Sequence, residues 1–341
     1  MISAQSISAC VRGLAAGDAL SATAAYHRLH LLPERRSRML QDMVHFSDSN
    51  RSTTRPVPHA HSSPTAALRP GPADDLEWFV FTAGAHVETS GGESLHDRWR
   101  SLADTPAVRA RTGTQYALAN LRAGLHPPQS GNDNPHYFDD IACVRAVAAG
   151  LMVRDAAHAA ELARSDAEVT HSADGVWCAM AMAVLVNSLG LGLGVAESVD
   201  AALGQLPETS WSRRIVETAL AVASTSRSAM DLAFRLDLEV TDKIYTYAIA
   251  APETLALLLA HTVQSQSSEE LLLGAFAHGR KADSLPALAG AIAGLRFGME
   301  WVPEQLATGP ILLDGICIPS LAGHDLADTV SALTAHADTA G

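Results

Sequence analysis

Residues Val176–Val195, VWCAMAMAVLVNSLGLGLGV, are the longest apolar run in the chain, and how they are read decides the fold. A run of about 20 apolar residues is long enough to cross a bilayer as a helix. This one carries Asn187 and Ser188 in its second half and then a series of glycines. Gly190 stands where a helix would close, so the run reads as a core helix and not as a membrane span. No other stretch of 18 or more apolar residues lacks a charge or a turn breaker.

On either side of it, the same three- and four-residue apolar spacing predicts helices over 6–31, 107–123, 140–154, 156–164, 195–203, 211–224, 229–236, 243–262, 268–279 and 285–298. A further apolar run, 74–85, follows an acidic start, which the helix macrodipole favours. Hydrophobic residues make up 48% of the chain and aromatics only 5%. An interior this rich in Ala suits close-packed helices better than a sheet. Alternation over strand length is nearly absent, and the one β-prone piece, Ile311–Ile318, is broken by Asp314 and Gly315. There is no fixed-period repeat. The expectation is an all-α, multi-helix globule forming a single domain over 1–341. Residues 47–73, rich in Ser, Pro, His and Arg, read as a flexible loop in which His59 and His61 are exposed. Residues 129–139 read as a polar loop and 325–341 as a loose tail.

The formal net charge is -13. That excludes broad contact with a nucleic-acid backbone, which needs clustered Lys and Arg. Cys10, Cys143, Cys178 and Cys317 are far apart and form no close-spaced pair, so neither a zinc signature nor a redox dithiol is present. Buried reduced thiols and a cytoplasmic location are expected.

Three acidic clusters sit where a loop meets an apolar helix or near a glycine break within one. They are Asp18 in GLAAGDALS (13–21), Asp74 and Asp75 with Glu77 in GPADDLEWF (71–79), and Asp283 with Ser284 in HGRKADSLPALAGAIAGLRFG (278–298). Carboxylates at helix starts can converge on a hard cation such as Mg²⁺. Each is also an ordinary helix cap or dipole partner when taken alone.

In this order the segments resemble the ADP-ribosylglycohydrolase family, which includes ADP-ribosylarginine hydrolases and the glycohydrolase that reactivates dinitrogenase reductase. Its members carry an early G-D-A-L-G segment, a T-D-D-T segment, and a late G-D-x-D-T segment leading into an A-G-A-x-x-G helix. The middle is similar too. TGTQYALANLRAGLHPPQSG (112–131) resembles the family's Ala/Leu-rich helix ending in glycine. ACVRAVAAGL (142–151) places Arg145 at the family's arginine, and VTHSADGVWCAMAMAVLV (169–186) places Thr170 and His171 at its Thr-His helix start. The resemblance covers residues 6–303. It implies an orthogonal all-α fold whose cleft holds two Mg²⁺ ions and cleaves the bond between the anomeric carbon of ADP-ribose and an acceptor atom. Asp74, Asp75, Asp283 and Ser284 would be the metal ligands, and Asp18, Arg145, Thr170, His171 and Lys281 would face the ligand.

The departures fall on the metal site. Ala73 and Leu76 replace the two hydroxyl residues of T-D-D-T. Lys281 replaces one aspartate of G-D-x-D-T, and Ala25 stands where family members often have a glutamate. Glu77 could replace that glutamate. Lys281 either lies beside Asp74, Asp75 and Asp283, offsetting their repulsion as a metal would, or points to solvent. The expectation is one weak Mg²⁺ or none, with no organic cofactor. Two functions remain open. One is an N-glycoside hydrolase acting on an ADP-ribosylated protein or an NAD-derived small molecule, with Asp74, Asp75, Asp283 or Glu77 as the catalytic carboxylate. The other is a non-catalytic binder or structural member.

Overall fold

The computed structural model describes residues 1–28, 74–89, 94–242, 249–278, 281 and 284–339. Asp283, Arg280, Ala282 and the segment 47–73, with His59 and His61, lie outside the described residues, as does the Ala25 side chain. Among the described residues the chain is helical throughout. The only β-type pairings there are the isolated bridges Asp139–Ala250 and Leu312–Asp325. We number the helices α1 (Ala4–Arg28), α2 (Asp74–Thr89), α3 (Leu95–Asp104), α4 (Thr112–Arg122), α5 (Gln129–Asn132), α6 (Ile141–Met152), α7 (Ala156–Ala167) and α8 (Asp174–Gly190). They continue as α9 (Val195–Leu203), α10 (Trp211–Thr225), α11 (Ala229–Glu239), α12 (Ala251–Gln264), α13 (Ser268–Ala277), α14 (Leu285–Phe297), α15 (Glu304–Ala307) and α16 (Leu326–Thr339).

The opening stretch is α8, which ends at Gly190 and is buried along most of its length. No described helix is long and apolar enough to cross a membrane. α6 is buried over every one of its residues and packs against α2, α7 and α8. The most extensive helix contact joins α1 to α14. Gly13 and Gly17, one turn apart on α1, do not interrupt it. A side chain at Gly17 would come within 2.1 Å of the Pro286 carbonyl oxygen, and one at Gly290 within 2.2 Å of the Gly13 carbonyl oxygen. Only glycine lets these two backbones approach so closely. That contact fixes Asp18, the residue after Gly17, relative to Ser284 at the head of α14.

Three expectations change. α3 has no counterpart among the helices expected from spacing, although Ser94 caps it and Leu95, Trp99 and Leu102 form its buried stripe. The helix expected from 107 begins at Thr112. Within the segment expected as a loose tail, residues 326–339 form α16, which buries Leu326, Leu333 and Ala337 against α1, α2 and α6. That apolar spacing supplies enough buried surface to hold the helix down. All four cysteines are buried free thiols.

Candidate functional site: an acid centre built on helix starts

The N-terminal ends of α2, α4, α6, α12 and α14 meet at one buried point. α2 contributes Asp74 and Asp75 from its first turn, and Asp140 and Ser284 precede α6 and α14. Arg111 immediately precedes α4 and points inward, almost fully buried. Its Nε donates to Asp74 Oδ2 at 3.2 Å, and its Nη2 donates to Asp75 Oδ1 at 2.8 Å and Ser284 Oγ at 2.6 Å. Its Nη1 donates to Asp140 Oδ1. Ser284 Oγ also lies 3.3 Å from both Asp75 Oδ1 and Asp140 Oδ1. Thr254, in the first turn of α12, donates to the other Asp140 oxygen at 2.6 Å. Helix starts carry partial positive charge, so five of them around one point support buried carboxylates.

Burial pushes the Arg111 guanidinium toward losing its proton, but Asp74, Asp140 and Asp75 outweigh burial and hold it more firmly charged than usual. For Asp140 the balance runs the other way. Burial raises its carboxyl above the ordinary range despite Arg111, Lys281 and Thr254. Asp18 stands beside the centre, where its Oδ2 accepts the Leu76 amide at 3.1 Å and so caps α2 from another helix.

Lys281 does not point to solvent. It is buried, with Nζ 2.8 Å from Glu253 Oε2, and its charge reaches Asp140 through the field alone. Glu253 in turn accepts the Asp242 amide at 3.1 Å. The cation in direct contact with Asp74 and Asp75 is therefore Arg111, and Lys281 is a second cation behind Asp140. The Lys281 amide donates to the carbonyl of His278, whose Nε2 meets His261 Nε2 at 2.8 Å. Burial depresses both rings, His278 to about 4 and His261 to about 3, so both are neutral near pH 7.

Arg145, Thr170 and His171 belong to an adjoining buried network. Arg145 donates to Asp166 at 2.7 Å and to Thr170 Oγ1 at 2.7 Å, and lies 4.9 Å from the Trp99 ring centre. Trp99 Nε1 donates to the other Asp166 oxygen at 3.0 Å. Thr170 Oγ1 meets His171 Nδ1 at 2.6 Å, and His171 Nε2 meets Asp139 Oδ1 at 2.9 Å. Burial pushes the Asp139 carboxyl up, but His171 and Arg111 together hold it below the ordinary range. The sequence reading missed Arg111, Asp139, Asp140, Glu253 and Thr254. Asp139-Asp140 stands ahead of an apolar helix just as Asp74-Asp75 does, and that was the available signal.

The sequence matches the ADP-ribosylglycohydrolase family over residues 3–335. The chain belongs to that family. A solved structure described as an ADP-ribosylglycohydrolase-related protein complex superposes with a TM-score of 0.62 at 18% identity, covering 99% of each chain, which is a likeness of fold. No curated protein matches the sequence.

Glu77 stands apart from the ADP-ribosylglycohydrolase-type centre. Its two oxygens accept the backbone amides of Ile316, Cys317 and Ile318 at 2.8, 2.8 and 2.9 Å. They tie the segment expected as a β-prone piece to α2. This engagement accounts for Glu77 as an anchor, and it does not stand in for the family glutamate lost at Ala25.

The divalent cation that the family implies does not fit the described residues as they are arranged. The position between Asp74, Asp75, Asp140 and Ser284 is taken by the Arg111 guanidinium, which engages one oxygen of each aspartate and the Ser284 hydroxyl. Among the described residues no group of three or more His, Cys, Asp or Glu side chains is arranged to hold a metal ion. A separate cavity of 380 Å³ lies along the middle and C-terminal half of α2, between α3 and α16, lined in part by Phe81, Leu102 and Ser320.

Proposed function

We propose that this chain is a metal-independent N-glycoside hydrolase that cleaves the ribosyl bond of an ADP-ribose conjugate, either an ADP-ribosylated protein or an NAD-derived small molecule. The observation that carries this reading is the convergence of Asp74, Asp75 and Asp140 in a chain that matches a glycohydrolase family over nearly its whole length. The water oxygen bonds to the anomeric carbon as the carbon–nitrogen bond breaks. That bond's electron pair goes to nitrogen and one water proton goes to a carboxylate; a guanidine leaving nitrogen is then protonated, whereas a pyridinium nitrogen leaves neutral without a proton. A carboxylate beside the anomeric carbon also stabilises the oxocarbenium-like charge that develops there. Asp75 at the head of α2 takes the base role. Asp74 and Asp140 hold Arg111 and set the charge of the centre, and Asp18 holds the head of α2.

One feature favours a second reading, a protein that binds the nucleotide without turning it over. Arg111 and Ser284 both contact Asp75, as they would in a site built to be filled and still. The two readings separate by incubating the protein with ADP-ribosyl-arginine and with NAD and following free ADP-ribose by chromatography. Release that is lost in Asp75→Asn supports the hydrolase. Calorimetric binding with no release from either compound supports the binder.

A further inference from the structure

We infer that Arg111 is a resident cation occupying the place of a divalent ion, and that the centre becomes a divalent-cation site only when this side chain is removed. The inference rests on the geometry of the acid centre and not on any turnover, so it stands or falls independently of the proposed hydrolysis.

Four observations carry it. First, the guanidinium reaches Asp74, Asp75, Asp140 and Ser284 with its Nε, Nη1 and Nη2 together, so one planar cation engages ligands from three helix starts. A guanidinium presents five N–H donors in a fixed fork, which matches carboxylates spread around it in a plane. Second, those partners are three carboxylates and a hydroxyl, a hard-oxygen set of the kind that holds Mg²⁺ or Mn²⁺. Third, Arg111 is buried, with a side chain only 1% exposed, so it is not a surface arginine resting on an acidic patch. Fourth, the buried lysine near the centre, Lys281, is paired with Glu253, whereas the aspartates are engaged by Arg111. The Lys281 charge is offset there by Glu253, and the cation that Asp140 contacts directly is Arg111.

A metal at this point would compete with Arg111 for Asp74 Oδ2, Asp75 Oδ1 and Asp140 Oδ1. The same carboxylate oxygens would have to turn from N–H donors to the ion, leaving a buried guanidinium without partners beside a dication. The wild-type protein should therefore be indifferent to divalent ions, and vacating the position should remove the cation that Asp74, Asp75 and Asp140 share and open their oxygens to one.

The test titrates MgCl₂ and MnCl₂ into the wild-type protein and into Arg111→Met and Arg111→Lys by calorimetry, and follows the thermal unfolding midpoint with each salt and with EDTA. In the wild type the expected result is no saturable heat at millimolar metal and no midpoint shift between Mn²⁺ and EDTA. Arg111→Met should bind Mn²⁺ with a Kd of about 10⁻⁴ to 10⁻³ M, the range of weak oxygen-ligand sites, and its midpoint should rise with Mn²⁺. Arg111→Lys keeps a cation and should stay indifferent. Saturable binding in the wild type at submillimolar Mn²⁺, lost on mixing with EDTA, overturns the inference. So does a folded Arg111→Met that shows no gain. If Arg111→Met fails to fold in EDTA, recovery of the fold in Mn²⁺ supports the inference and aggregation in both conditions counts against it.

Discussion

Asp139 and Asp140 are neighbours in the chain and belong to different regions of the molecule. Asp139 turns into the network of His171, Thr170, Arg145 and Asp166, and its carboxyl is held below the ordinary range. Asp140 turns into the centre around Arg111, and its carboxyl is held above that range. Both are fully buried, so burial alone does not decide the direction. For Asp139, an imidazole at hydrogen-bond distance and the amide of Ile141 stabilise the charge. Asp140 must share its one contacting cation with Asp74 and Asp75. A network that pairs each carboxylate with a donor of its own is a structural device, whereas a centre crowded with like charge is where chemistry can be driven.

The comparison can be broken most severely at Arg111. Arg111→Met leaves three buried carboxylates without their shared cation and should lower unfolding stability by about 3–5 kcal/mol in urea titrations without added metal. Asp139→Asn removes the charge opposite His171 and should cost about 1–3 kcal/mol by the same measurement. Glu77→Gln weakens the hold on residues 316–318 and should cost roughly 1–2 kcal/mol, leaving any ADP-ribose release rate within about twofold. Asp140→Asn should cost least, under about 1 kcal/mol, because the folded state already penalises that charge.

A pH series sharpens the same contrast, since the two residues have opposite linkage. The folded carboxyl of Asp139 lies below its unfolded value of about 3.9, so its contribution is present above that pH and is lost as pH falls through the folded value. The wild type's advantage over Asp139→Asn should therefore shrink at acid pH. The folded carboxyl of Asp140 lies above its unfolded value, so its charge is a burden at neutral pH that is relieved as pH falls. The wild type should gain on Asp140→Asn as pH is lowered from 7 toward 4. Parallel slopes for the two variants would contradict the assignment of the neighbours to different regions.

The sequence made part of this legible. The helical class follows from apolar spacing, and the acidic start of α2 is visible in GPADDLEWF. Both depend on residues close together in the chain. Arg111 was not legible, since an arginine ahead of a helix looks like a solvated charge, and its partners at 74, 75, 140 and 284 are brought to it only by folding. Lys281 stands out in the sequence as a lysine in place of a family aspartate, but its partner Glu253, 28 residues earlier in the chain, is brought to it only by folding. Asp139-Asp140 could have been found by the reasoning applied to Asp74-Asp75, and it was obscured by the polar loop before it. The packing of α16 could likewise have been read from the spacing of Leu326, Val330, Leu333 and Ala337.

The most direct test of the proposed chemistry is the release of ADP-ribose from ADP-ribosyl-arginine and from NAD by protein stripped with EDTA, compared with the same protein given Mg²⁺ and with Asp75→Asn. The expected result is release at the same rate with and without the metal, lost in Asp75→Asn. Release that appears only when Mg²⁺ is restored, or that persists unchanged in Asp75→Asn, would contradict a metal-independent centre built on Arg111 and its three aspartates.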